Sequence, residues 1–209
     1  MPEKLRENNN TPEYWDTLYA KEIATQFGRP DEQRWDYILG HIGRHDKVLD
    51  FGCGWAEALL YMIPKRPYAK FVGIDYSSVA IDKAKELLPN VEFYCKDSLD
   101  ELLTMDIDVI SIQHTLEHIE DRKSIMEQAW LMLKPKGKLI VVLPLYDDWH
   151  EHPEIWTLED IREFVKEWES KFSSFVVYRP TTRWTKPDTL SEEAIIVMQK
   201  IGGKDAPNK

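Results

Sequence analysis

Cysteine is scarce in this chain: only Cys53 and Cys95 occur in 209 residues, with no metal-ligand spacing between them. That usage fits a reduced, cytoplasmic protein. Long apolar runs are missing as well. None approaches the roughly 18–20 residues that a membrane-spanning helix requires, so no membrane partner is expected. The opening MPEKLRENNN holds no apolar signal core, and secretion is not expected. Positive charge is the scarcer sign, with 27 Lys and Arg against 37 Asp and Glu and a net charge of −10. Tight, nonspecific binding to a nucleic-acid backbone needs clustered Lys and Arg, so nucleic acid is a disfavoured partner. Internal repeats are lacking too.

What is present is enough for one full-sized domain with its own core, at 24.6 kDa and 43% hydrophobic residues. Eight tryptophans are many for this length. Trp15, Trp35, Trp55, Trp149, Trp156, Trp168 and Trp184 fall outside the expected strands, where such rings either line pockets or simply pack.

Residues 1–10 are polar and read as frayed. Thr11-Pro12-Glu13 supplies an N-cap, a first-turn proline and a first-turn acid, and Tyr14, Trp15, Leu18, Tyr19 and Ile23 recur at helical spacing. Phe27-Gly28-Arg29-Pro30 breaks that helix, and Asp31 caps a second one to about Gly40. Together, residues 1–43 read as a helical cap ahead of the main domain. Strands are then expected at Lys47–Phe51, Lys70–Asp75, Val91–Cys95, Asp108–Gln113 and Lys138–Leu143. Helices alternate with them at Ala56–Met62, Ser78–Leu88 (capped by Ser77 or Ser78) and Arg122–Leu133, with a short helical turn after Asp97. Such β-α alternation implies a parallel sheet covered on both faces. Beyond it lie a polar, aromatic loop at Tyr146–Pro153 and a helix from Thr157 to about Lys171 with Asp160 at the capping-box distance. Strands at Phe175–Tyr178 and Ala194–Met198 are joined by polar residues without a crossover helix, so they pair as an antiparallel hairpin. The main domain then covers residues 44–202, and residues 203–209 read as a flexible tail.

The stretch that organises the chain is Val48-Leu49-Asp50-Phe51-Gly52-Cys53-Gly54-Trp55-Ala56-Glu57: a strand ending near an acid, a glycine turn, and a helix start. This is the layout of a nucleotide-sized ligand site. A dinucleotide fingerprint would need a third glycine where Glu57 stands, and a phosphate loop would need a Gly-Lys-Ser/Thr ending that is absent. Carboxylates at Asp50, Glu57 and Asp75 suit a nucleoside that carries positive charge better than a pyrophosphate.

From Val48 to Leu143 the sequence resembles the class I S-adenosylmethionine-dependent methyltransferases. Val48–Glu57, with Asp50, Gly52, Cys53 and Gly54, is similar to their first motif, set against the methionine part of the cofactor; Ala56 stands where the family often has another small residue. Val72-Gly73-Ile74-Asp75-Tyr76-Ser77 is similar to the second, whose acid holds the ribose hydroxyls. Cys95-Lys96-Asp97-Ser98 resembles the third, whose acid accepts from the adenine amino group. DVISIQHTLEHIED and LKPKGKLIVVL resemble the two remaining segments, with Gln113 and His114 at the methionine and substrate end. The resemblance implies a single α/β, Rossmann-like domain with a seven-stranded, mostly parallel sheet in the order 3-2-1-4-5-7-6, helices on both faces and a C-terminal antiparallel hairpin. It implies S-adenosyl-L-methionine as cofactor and an N-terminal cap that closes the pocket, with Trp15 against the cofactor and Arg34 pairing with its carboxylate.

Plainer roles stand beside these. Asp50 can be a strand-end acid satisfied by the turn, Asp75 and Asp97 can cap the helices that follow them, and Arg34 can be a surface residue. Glu117 and His118 can hold their loop together; with His114 they form only an incomplete metal set, and no metal is expected. For methyl transfer to a hydroxyl of a small acceptor such as a sugar or phenol, a histidine is the natural base, and His114, His150 and His152 are the candidates. A cofactor-binding scaffold without catalysis, or another transferase of the same cofactor class, remains the alternative. The acceptor and the oligomeric state are not legible in the sequence.

Overall fold

The computed structural model describes residues 3–4, 10–25, 31–146, 154–182 and 190–201. Its centre is a seven-stranded sheet in the order β4-β3-β2-β5-β6-β9-β8. In chain order the elements are β1 (Glu3–Lys4), α1 (Pro12–Thr25), α2 (Glu32–Leu39), β2 (Lys47–Phe51), α3 (Glu57–Met62), β3 (Lys70–Asp75), α4 (Ser78–Leu87) and β4 (Glu92–Cys95). There follow β5 (Ile107–Gln113), α5 (Arg122–Met132), β6 (Leu133–Leu145), β7 (Glu154–Ile155), α6 (Leu158–Glu167), β8 (Phe172–Thr182) and β9 (Leu190–Lys200). β2 to β6 run parallel, while β9 lies antiparallel to both β6 and β8. This is the expected strand order, with the hairpin at the end.

The central strands are apolar on both faces because each face meets its own layer. Leu139, Val141 and Leu143 of β6, with Ala194, Ile196 and Met198 of β9, join one core with α5, α6 and Trp156. Ile140, Val142, Ile195 and Val197 point the other way and pack with Trp35, Ile38, Leu59 and Met62 of α2 and α3. The alternation is the two-residue period of a pleated strand with both sides buried. Trp35, Trp156 and Trp168 are ordinary core residues, whereas Trp15 remains half-buried.

Several element boundaries differ from the sequence expectation. β6 starts at Leu133, which pairs with Ile107 across an irregular register, so strand begins where the α5 helix ends. β8 and β9 reach into the polar stretch, pairing out to Thr182↔Leu190, because hairpin hydrogen bonds are made by backbone whatever the side-chain polarity. α6 stops at Glu167, where Trp168 takes the C-cap. Glu3 and Lys4, read as frayed, form a two-residue antiparallel ladder with β7. The caps follow the sequence: Asp31 accepts from the Arg34 amide, Ser77 from the Ala80 amide, and Thr157 and Asp160 form a full capping box. The Phe27–Pro30 break and the tail lie outside the described residues.

Candidate active site

The carboxyl ends of the parallel strands carry the site, and the turn between β2 and α3 forms its floor. Gly52, Gly54 and Ala56 all have positive φ, at 76°, 52° and 70°. The alternation brings the amides of Gly52 and Cys53 onto the Ile74 carbonyl at 2.8 and 2.9 Å, lashing the turn to β3. A Cβ on Gly52 would stand 2.0 Å from Thr115 Oγ1, so this backbone can pass Thr115 only without a side chain. Ala56 adopts the left-handed region despite its Cβ, at a cost on the order of 1–2 kcal/mol, which makes it a strained residue beside the turn.

Two acids flank the turn. Asp75, at the end of β3, accepts from the Gly54 amide at 2.7 Å and the Ser77 amide at 2.9 Å. It is buried, and burial lifts its pKa to about 6 against the opposing pull of those amides. It thus serves the turn and the start of α4 together. Asp50 is buried inside β2, and burial raises its pKa to about 7 although Ser111 and Gln113 donate toward it. The Gln113 Nε2 amide donates to Ser111 Oγ at 2.9 Å and, more weakly, to Asp50 Oδ1 at 3.4 Å. The Gln113 Oε1 atom is buried without a protein donor.

Helix α1 lies across this floor. Asp16 accepts from Ser77 Oγ (2.5 Å), Ser78 Oγ (3.0 Å) and the Val79 amide (3.1 Å), which places a second carboxylate on the amino end of α4. The Tyr19 hydroxyl sits 3.1 Å from where a Gly54 Cβ would be. Trp15 contacts Tyr14, Tyr19 and, edge-on at 4.9 Å, the His118 ring; its indole N–H donates to Asn10. His118 and Glu117 are buried in the short helical turn at Leu116–His118. At the far edge Asp97 is exposed just beyond β4 and Ser98 is half-buried. Burial first, and Asp97 next, raise the pKa of the Tyr76 phenol.

The other half of the mouth is built from β5, α2 and β9. His114 leaves β5 with φ 47°, its amide donating to the Val142 carbonyl at 3.0 Å. Its Nε2 lies 3.0 Å from Glu193 Oε2, and Nδ1 lies 3.5 Å from Glu117 Oε1. Arg34, buried on α2, brings Nη1 to 3.1 Å from the same Glu193 oxygen and 2.8 Å from His114 Nε2. Burial would lower the His114 pKa, but the hydrogen bonds to Glu117 and Glu193 outweigh it and the result is a rise. Arg34 is therefore no surface residue, and its Nε is buried without an acceptor.

Glu193 was missed by sequence reasoning. It lies just before the apolar run Ala194–Met198 and looks like a strand-end surface acid, and only the register opposite Pro144 sends it inward. His150 and His152, as well as Trp149 and Trp184, lie outside the described residues. Among the described residues, no group of three or more His, Cys, Asp or Glu is placed to hold a metal ion, and no helix is long and apolar enough to cross a membrane.

The site's chemistry suits S-adenosyl-L-methionine. The buried, donor-less Gln113 Oε1 next to the Asp50 carboxyl is an acceptor pair for an ammonium. Asp75 has lone pairs for a ribose diol, and the side-chain-free turn admits close approach.

Comparison with known proteins agrees. A family model described as a methyltransferase domain matches residues 42–194. A trans-aconitate 2-methyltransferase of Acidovorax sp. is 24% identical over 130 residues, covering 62% of this chain and 50% of that protein. The chain spans about half the length of the curated relatives it matches. Among solved structures, an S-adenosylmethionine-dependent methyltransferase of Archaeoglobus fulgidus superposes with a TM-score of 0.68 at 13% identity, covering 88% of this chain and 100% of that one. A TehB-like methyltransferase of Corynebacterium glutamicum gives 0.61 at 18% identity, covering 90% and 97%. At such identities the structures speak for the fold alone, and it is the family model, spanning the glycine turn through to β9, that makes this chain a member of the class I S-adenosylmethionine-dependent methyltransferases.

Proposed function

We propose that the protein transfers the methyl group of S-adenosyl-L-methionine to an oxygen of a small-molecule acceptor. The observation that carries this reading is the pairing of a donor-less buried Gln113 Oε1 and two buried acids with raised pKa values, Asp50 and Asp75, around a glycine turn that leaves room for a ligand. The cofactor supplies a methyl already activated on a sulfonium. The chain's part is to hold, orient and exclude water: Asp50 and Gln113 face the amino-acid end, Asp75 the ribose, Asp97, Ser98 and Tyr76 the adenine side, while Trp15 and Tyr19 roof the pocket.

Two acceptor chemistries divide the reading. A hydroxyl acceptor needs a base to take its proton, a role the sequence offers to His114, His150 and His152. A carboxylate acceptor arrives ionised and needs none. The second is favoured by His114, whose two nitrogens already face Glu117 and Glu193, and it accords with relatives named for methylating trans-aconitate. The decisive experiment is calorimetry with S-adenosylmethionine, its demethylated product and NAD, followed by a methyl-transfer screen of matched hydroxyl and carboxylate acceptors. Binding of NAD but neither sulfur nucleoside would overturn the cofactor assignment. Binding without transfer to any acceptor would favour a cofactor-binding scaffold.

A further inference from the structure

Arg34 carries a buried guanidinium whose polar contacts, among the described residues, all run through Nη1. The side chain starts on the cap helix α2, is 6% exposed, and ends against β9, 159 residues away in the chain. Nη1 donates to Glu193 Oε2 at 3.1 Å, lies 2.8 Å from His114 Nε2 and stands 3.8 Å from Asp31 Oδ2. Nη2 takes part in none of these contacts, and Nε is buried with no acceptor.

A buried donor left unmet is costly, and folded proteins satisfy nearly all of them with protein, water or ligand. Nε–H and Nη2–H lie side by side on one edge of the planar guanidinium. Together they form the fork that takes a carboxylate in two parallel hydrogen bonds. The Glu193 bond does not fill that fork, because it is made to Nη1. Pinning the group through Nη1 fixes its plane, and with it the direction of the open edge.

Two anions compete for the fork. From the sequence, Arg34 was expected at the carboxylate of the cofactor. The guanidinium is held to Glu193 of β9, three strands along the sheet from β2 and the glycine turn, roughly 14 Å at ordinary strand spacing. Its other neighbour, His114, stands just past the end of β5. Both neighbours belong to the acceptor half of the mouth, which favours the acceptor as the anion.

We propose that the Nε–Nη2 edge of Arg34 is a clamp for a carboxylate of the acceptor, one other than the carboxylate that receives the methyl. The acceptor is then a di- or tricarboxylate, and this rests on reading the acceptor as a carboxylate in the first place. Arg34 keeps its charge at every working pH, so it fixes the anion without exchanging a proton with it. Glu193 is the positioning residue that holds the guanidinium from the Nη1 side.

Calorimetry of acceptors against the protein saturated with the demethylated cofactor product reads this binding without turnover. Trans-aconitate is expected to bind at least about tenfold more tightly than crotonate, which has the same propene skeleton with a single carboxylate. Arg34→Lys keeps a charge beside Glu193 but has no side-on edge. In that variant the preference should shrink to within about threefold, while S-adenosylmethionine affinity stays within about twofold. Failure of the wild type to bind trans-aconitate, equal binding of the two acids, or a preference that survives Arg34→Lys would each overturn the clamp. A loss of S-adenosylmethionine affinity of about tenfold or more in Arg34→Lys would also overturn it, and would give the edge to the cofactor's own carboxylate. Should Arg34→Lys not fold, Arg34→Gln combined with Glu193→Gln leaves no unpaired charge in the buried pair and reads the same ratio. The functional reading fails separately: a wild type that binds trans-aconitate through Arg34 but methylates only hydroxyl acceptors keeps the clamp and loses carboxylate transfer.

Discussion

The two halves of the strand-end cleft treat buried charge in opposite ways. Around β2, β3 and the glycine turn, Asp50 and Asp75 are buried with amide and hydroxyl partners but no ion pair among the described residues, and their pKa values rise to about 7 and about 6. Around β5, α2 and β9, the carboxylates of Glu117 and Glu193 already have His114 and Arg34 beside them. A raised carboxyl pKa marks a site short of positive charge, since desolvation penalises the anion and nothing repays it. The first half is therefore the one that a cationic ligand would complete, as proposed above. The second sets cations and carboxylates of the chain itself against one another. The lesson is that the cofactor half should respond strongly to ligand and pH, and the acceptor half mainly to changes in its own members.

The largest effect expected is at Gly52. Gly52→Ala adds a Cβ 2.0 Å from Thr115 Oγ1 at a φ of 76°, combining overpacking with backbone strain, roughly 3 kcal/mol or more. Calorimetry should show at least a hundredfold loss of S-adenosylmethionine affinity, and retained affinity would mean that the turn is not the floor of the pocket. Next comes Asp75→Ala, expected to weaken cofactor binding by roughly 1.5–3 kcal/mol in a folded protein. An equal loss of fold stability and affinity would instead make Asp75 a turn-holding acid.

The contrast in charge also predicts a pH dependence. Asp50 and Asp75 have folded pKa values above the ordinary 3.8, so the ligand-free fold gains from their protonated forms; that contribution is fully present below about pH 4 and is lost as pH rises through 6 to 7. A cationic cofactor prefers the ionised acids. Its affinity should therefore rise between pH 5.5 and 7.5, by up to about tenfold per unit, with protons released on binding. Calorimetry in buffers of different ionisation enthalpy reads that release, and a flat profile would erase the proposed difference between the halves. The smallest effect concerns the roof. Asp16→Ala removes three hydrogen bonds from the start of α4 while leaving its Ser77 cap, so a loss of about 1 kcal/mol and a severalfold faster cofactor dissociation are expected in stopped-flow measurements.

How far the sequence could be read follows the same division. Asp50, Gly52, Gly54 and Asp75 belong to one strand-turn-helix-strand unit, and chemistry of that kind is local enough to be visible as spacing. The strand order and the hairpin were also expected and are found. The lengths of β8 and β9 were underestimated because polar residues at a hairpin's end carry no apolar alternation, although their backbone still pairs. The β1–β7 ladder joins residues about 150 positions apart in the chain and has no local signal. His114 was legible as a residue at the cleft but not as one with both nitrogens engaged, since Glu193 reaches it only across the folded sheet.

The sequence by itself determined the alternating β-α order, the caps at Asp31, Ser77 and Thr157, and the glycine turn with its two acids, because each depends on neighbours within a few residues. Only the tertiary structure decided the state of the charged groups. It turned Arg34 inward, set Glu193 opposite Pro144 and against His114, and left Gln113 Oε1 without a donor. Burial and pairing are properties of packed elements, and the pKa of a buried acid is set by what the rest of the fold brings, or fails to bring, beside it.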